Sequence, residues 1–154
     1  MDHLLTLVTF LPLLGALLVF AGSDKLARPL ALGISLLTFA ASVPLWFMYK
    51  AQGAGPIKSW SAMQLVDGPY PWIVDLGIQY HVGVDGIALL LVLLSTALMP
   101  IVILSSFSSV THQVSRYMGF MLLLQTGMIG TLVALDTFLF YIFWELMLIP
   151  MYFL

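Results

Sequence analysis

The chain reads as an all-α integral membrane protein. Five transmembrane helices of a larger helical bundle are predicted, with one extramembrane loop that contains a short strand. Three observations carry this reading. Apolar residues make up 62% of the 154 positions and charged residues only 8%, against about 25% charged in a soluble domain. The apolar residues gather in five runs of about 18 residues or more, enough to cross roughly 30 Å of hydrocarbon at 1.5 Å per residue. Backbone groups in lipid must pair internally, and runs this long and uniform pair as helices rather than barrel strands.

The first run extends from about Leu4 to Ala21. Val19-Phe20-Ala21 is weakly like a signal-peptide cleavage site, but Met1-Asp2-His3 lacks the positive leader such peptides carry, so the run reads as a retained span. Ser23 to Arg28 forms a polar linker to the second run, from about Pro29 to Tyr49. Residues 50–85 are the one substantial extramembrane stretch, broken into turns by Gly53, Gly55, Pro56, Gly68, Pro69 and Pro71. Within it, apolar residues alternate from Trp72 to Val82, a period of two that predicts a strand. Trp60 and Trp72 are placed to anchor this loop at headgroup level.

Asp85 precedes Gly86 at the start of the third run, Gly86 to about Ser105, in which Pro100 predicts a kink. A carboxylate there caps the orphan N–H groups and meets the positive end of the helix dipole. Asp136 holds the same place before the fifth run, Thr137 to Leu154. The fourth run, Tyr117 to about Leu135, pairs Gly127 with Thr131 and Gly130 with Ala134. Small residues four apart let helices approach closely. Gln125 and Thr126 are the polar residues here that a hydrated route would use. The last residues, Met151 to Leu154, are still apolar, so the fifth helix is expected to continue, with 1–154 a single membrane domain.

Charge distribution orients the chain. Lys25, Arg28 and Arg116 lie in the two short loops on one side. Lys50 and Lys58 lie in the long loop on the other, with Asp67, Asp75, Asp85 and Asp136. The positive-inside rule then places the N-terminus outside the cell. Arg116 reads as a topology and headgroup residue, and His112 as solvent-exposed. The net charge of −2 comes with no basic patch, so nucleic acid is not a partner. The chain contains no cysteine, which excludes disulfides and iron–sulfur ligation. His3, His81 and His112 make no metal-ligand spacing, and no glycine-rich phosphate loop is present.

One residue breaks the fifth run. Glu145 is a carboxylate at bilayer depth, which costs roughly 2.5–3.5 kcal/mol on insertion scales. Such groups face a bundle interior or a wet cavity, and they carry ions or protons. Tyr141 lies four residues before it and Tyr152 seven after, all on one helical face. Tyr141 can hydrogen-bond the carboxyl. Pro150 lacks an amide proton and frees the carbonyl of Leu146, a place for water one turn from the carboxyl. Glu145 is therefore the candidate proton-transfer residue and Tyr141 its support. A structural glutamate tied to a neighbouring helix is the competing reading.

Phe138 to Phe153, with Trp144-Glu145 and Pro150 at its centre, closely resembles the fifth-helix motif of the antiporter-like membrane subunits of respiratory complex I, the NADH–quinone oxidoreductase. Tyr80 to Ile87, with Asp85-Gly86, resembles that family's approach to its third helix, and Arg116 to Phe120 its fourth-helix start. The match runs along the whole chain and covers about the first third of such a subunit. The resemblance implies a bundle of about fourteen helices containing two inverted five-helix repeats. It further implies that Glu145 pairs with a seventh-helix lysine, a helix this sequence does not reach. Quinone reduction elsewhere would shift that pair and move protons. NADH, flavin, iron–sulfur clusters and quinone would belong to partner subunits, with no cofactor or metal on this chain. The expected setting is a hetero-oligomer with other complex I membrane subunits in the bacterial inner membrane. A subunit of a multi-subunit sodium/proton antiporter and a purely structural membrane module are the alternatives.

Overall fold

The computed structural model describes residues 3–51 and 63–154. Its helices are α1 (Leu4–Ala21), α2 (Asp24–Ala51), α3 (Gly86–Ser109), α4 (Val114–Val133) and α5 (Thr137–Phe153). Between α2 and α3 stand two antiparallel strands, β1 (Gln64–Ile73) and β2 (Ile78–Val84), joined by a 3-10 turn at Val74–Leu76.

Of the five expected spans, three (α1, α2 and α3) are by themselves long and apolar enough to cross a membrane. α5 is apolar but has 17 residues. α4 has 20 residues, diluted by Arg116, Gln125 and its glycines. The packing explains why α4 tolerates them. It runs through the middle of the bundle, touching α1, α2, α3 and α5, so Gln125 and the glycines meet helices rather than lipid, while Arg116 stays exposed at its start.

Helix ends depart from the sequence reading for local reasons. The Ser23 carbonyl accepts from Leu26 N at 3.0 Å and Ala27 N at 3.1 Å, so α2 starts at Asp24 and absorbs the supposed linker. Pro29 then falls in the second turn, where its missing N–H costs one helical bond. α3 runs on to Ser109, and Ser105 and Ser106 in its last turns satisfy their hydroxyls on the Val102 and Ile103 carbonyls, at 2.8 and 2.7 Å. α4 stops at Val133 because Ala134 bridges to Val82, and Leu135 N donates to the His81 carbonyl at 2.9 Å.

The extramembrane segment differs most. The alternation from Trp72 to Val82 predicted one strand, but the chain turns within it at Val74–Leu76, with Gly77 at φ 67° closing the turn. The partner strand contains Gly68, Pro69 and Pro71, which had been read as turn residues. β1 and β2 form a two-stranded sheet, so β1 has a free edge, the place where proline is tolerated in a strand. Gly68 sits at φ 108°, and a Cβ there would run into the Tyr80 carbonyl oxygen. Trp72 is exposed on this hairpin. Gly53, Gly55, Pro56, Lys58 and Trp60 lie outside the described residues.

Two apolar clusters fill the bundle. Leu5, Val8, Leu45, Leu89, Val92, Ile129 and Val133 pack beneath Val82 and Val84 of the hairpin. Val19, Ala27, Ala31, Ile103, Met118 and Leu122 fill the opposite end. Thr9, Thr38, Ser42, Thr96, Gln125 and Thr126 are also fully buried in the helices. Their hydroxyls bond back to carbonyls of their own helices, and Ser42 meets Thr96 across α2 and α3 at 2.9 Å. Hydroxyls satisfied this way are cheap to bury.

Candidate functional site

α5 begins as the sequence predicts. The Asp136 carboxylate accepts from Phe138 N at 2.9 Å and Leu139 N at 3.1 Å. Asp85 does the same for α3, accepting from Ala88 N at 2.6 Å.

The rotation of α5 is set by glycines on its neighbour. A Cβ at Gly130 would strike the Phe143 ring, and one at Gly127 would strike Met147 and the Phe143 carbonyl. These two positions give α5 its seat, with Leu139, Phe143 and Pro150 buried. Residues on the far side of the helix turn outward. Tyr141, Glu145 and Tyr152 do share one face, as their spacing predicts, and all three are exposed. The Tyr141 hydroxyl stands beside the Glu145 carboxylate.

The expectation that Glu145 is buried inside a bundle is thus corrected for these five helices: it lies on their outer surface. α5 packs against α4 and the hairpin and is otherwise a flanking helix. The glycine seat on α4 claims the Phe143 side. Among the described residues, no cation lies within ion-pair distance of Glu145.

Gln125 and Thr126, the other candidates for a hydrated route, are buried in α4 and absent from the Glu145 face. Both polar atoms of the Gln125 amide are buried without a partner. His112 and Arg116 are exposed, with Arg116 Nη1 donating to Gln113 Oε1 at 3.3 Å.

The best-connected polar cluster lies elsewhere and was not singled out by sequence reasoning. Asp67 of β1 is 2% exposed. The Thr6 hydroxyl of α1 donates to its carboxylate, and His3 Nδ1 approaches both carboxylate oxygens, at 3.0 and 3.1 Å. With the Thr6 proton so engaged, the Tyr80 phenol of β2 must donate to the Thr6 oxygen, at 2.8 Å. Burial pushes the Asp67 carboxyl up, but the Thr6 and His3 hydrogen bonds, with the His3 charge, outweigh it. The group is held below its ordinary 3.8. The Tyr80 phenol is pushed above its ordinary 10.0, chiefly by burial. The only sequence signal was an aspartate set among apolar and turn residues. Its partners are 61 and 64 positions away, where no local period reaches.

A bundle of apolar helices long enough to span a membrane, a hairpin between the second and third, and a lone glutamate in the fifth define a multi-pass membrane protein. No family model matches the chain. It is 40% identical to NADH-quinone oxidoreductase subunit M of Rhodobacter capsulatus, over 99% of this chain and 29% of that protein. It is 36% identical to the same subunit of Escherichia coli K12, over 84% of this chain and 25% of that protein. It is 40% identical to F(420)H(2) dehydrogenase subunit M of Methanosarcina mazei, over 63% of this chain and 19% of that protein. The chain belongs to the NADH-quinone oxidoreductase subunit M family, and it spans less than a third of the length of these relatives.

Proposed function

We propose that the chain forms part of a proton-translocating membrane subunit of NADH-quinone oxidoreductase, and that Glu145 is its proton-exchanging carboxylate. The observation that carries this is Glu145 itself, the sole glutamate of the sequence, set in an apolar helix with the Tyr141 hydroxyl beside it. A carboxylate left facing lipid at that depth costs roughly 2.5–3.5 kcal/mol. The outer face of α5 is therefore a surface for a polar partner. A cation on a further helix, the lysine implied by the family resemblance, meets that need and sets up a switchable pair. An opposing cation favours the charged carboxylate and desolvation the neutral one, so moving the cation moves the proton.

Redox chemistry belongs to partner subunits in this reading. The chain offers no thiolate for an iron–sulfur cluster. The relatives' names also carry different electron donors, NADH and F(420)H(2), for subunits matching this same stretch. The setting is a hetero-oligomer in the bacterial plasma membrane, with the N-terminus on the outer side and Lys25, Arg28 and Arg116 on the cytoplasmic side.

The test is Glu145→Gln in the full-length subunit, with NADH-driven proton uptake measured in sealed vesicles. Proton uptake is expected to be lost or strongly reduced while the complex still assembles. Unchanged uptake would overturn the role. Proton flux that needs sodium and no electron donor would assign the antiporter instead. A fall in activity matched by an equal fall in assembled complex would make Glu145 structural.

A further inference from the structure

The side of the bundle opposite the hairpin holds three of the five basic residues, Lys25, Arg28 and Arg116, and none of them forms an ion pair among the described residues. The sole ion pair among the described residues, His3 with Asp67, is at the other end. The one carboxylate near these cations, Asp24, is engaged by Ser115 N at 2.8 Å. Arg28 donates from Nη2 to the Val110 carbonyl at 2.8 Å and stands 6.0 Å over the Phe107 ring, while its Nε is buried without a partner.

Val110 is one wall of a cavity of about 390 Å³ at the start of α4 and the end of α5. His112, Gln113, Arg116 and Tyr117 line its polar side, and Phe120 and Phe153 its apolar side. The two rings stack in parallel, 5.0 Å apart with 6° between their planes. No acidic side chain among the described residues lines the cavity. Its place at the start of α4 sets the polar side at the membrane boundary and the aromatic side toward hydrocarbon.

A ligand that satisfies both sides has an anionic head and an apolar body. A planar guanidinium matches the oxygens of a phosphate ester in pairs. A tyrosine hydroxyl adds one donor, and basic pockets at the cytoplasmic boundary of helices select anionic headgroups over zwitterionic ones. Free phosphate would use the polar side alone and leave two aromatic rings wet. We propose that this cavity binds one anionic phospholipid, with Arg116, His112 and Tyr117 around its phosphate and Phe120 and Phe153 against the start of its acyl chain. Arg28 holds the Val110 wall from behind.

The test uses the full-length subunit in the membrane assembly that co-purifies with it, delipidated in mild detergent. Native mass spectrometry would count phosphatidylglycerol rebinding. Wild type is expected to rebind one more tightly held phosphatidylglycerol than Arg116→Gln or Phe120→Ala, with apparent affinity at that site falling tenfold or more in either variant. Arg116→Lys, which keeps charge and loses the planar fork, is expected to fall between. Equal retention by wild type and Arg116→Gln would overturn the site. A comparison of lipids on the wild type needs no variant to fold: equal binding of phosphatidylcholine overturns the anionic selectivity, and displacement by inorganic phosphate assigns a free-phosphate site instead.

Discussion

At the scale of single residues, Glu145 and Asp67 show what decides the fate of a carboxylate in this chain. Asp67 is buried because His3 and Thr6 of the N-terminal segment converge on it, and their hydrogen bonds outweigh the desolvation that opposes its charge. Glu145 has one neighbour on its own helix and lies exposed on the outer face of the described helices. Replacing Tyr141 by Phe removes that neighbour's hydroxyl. Tyr141→Phe is therefore expected to slow proton uptake in vesicles, with assembly unchanged. Wild-type uptake would mean the hydroxyl plays no part. The face shared by Tyr141, Glu145 and Tyr152 was legible from their spacing alone, whereas its direction was not. Direction depends on what α5 packs against, and that is written in Gly127 and Gly130 of another helix.

At the scale of elements, the α4–α5 contact and the hairpin each rest on one close approach. Gly130→Leu would push a side chain into the space of the Phe143 ring. Overpacking of this kind costs typically 1–3 kcal/mol, and here it would also turn or lift the helix that carries Glu145. Less assembled complex and a lower melting temperature are the expected outcomes, and a melting temperature equal to wild type would count against the proposed seat. The hairpin docks through Asp67. A carboxyl whose folded pKa is depressed contributes stability that is full above its unfolded value, here 3.8, and is lost as pH falls through the lower folded value. Hairpin protection, read by hydrogen exchange on β1, is therefore expected to hold above about pH 4 and fail on further acidification. In Asp67→Asn that acid-dependent loss should disappear, on a lower baseline at neutral pH. The sequence showed that β2 was extended but missed β1, because proline and glycine there point to turns unless a partner strand is known.

At the scale of the whole molecule, α4 passes through the centre, and this explains a helix whose composition is poor for lipid. Its Gln125, Thr126 and glycines face other helices. α5 is left outside, touching α4 and the hairpin, so its outer face is not covered by the described residues. The opposite ends of the molecule also differ in kind. One is closed by a hydrogen-bonded hairpin with its acid buried, and the other carries cations that form no ion pair among the described residues, beside an aromatic-walled cavity.

The sequence by itself determined the elements whose causes are local. Apolar runs placed α1, α3 and α5 close to their observed limits, Asp85 and Asp136 marked two helix starts, and the lone glutamate stood out against hydrocarbon. Helix formation, capping and lipid desolvation all act within a few residues, so a linear reading reaches them. Only the tertiary structure decided that Glu145 faces outward, that β1 exists, and that His3 and Thr6 close over Asp67. Each of these depends on a close approach between segments far apart in the chain. Such contacts are selected by the shape of the assembled bundle, which no local period encodes.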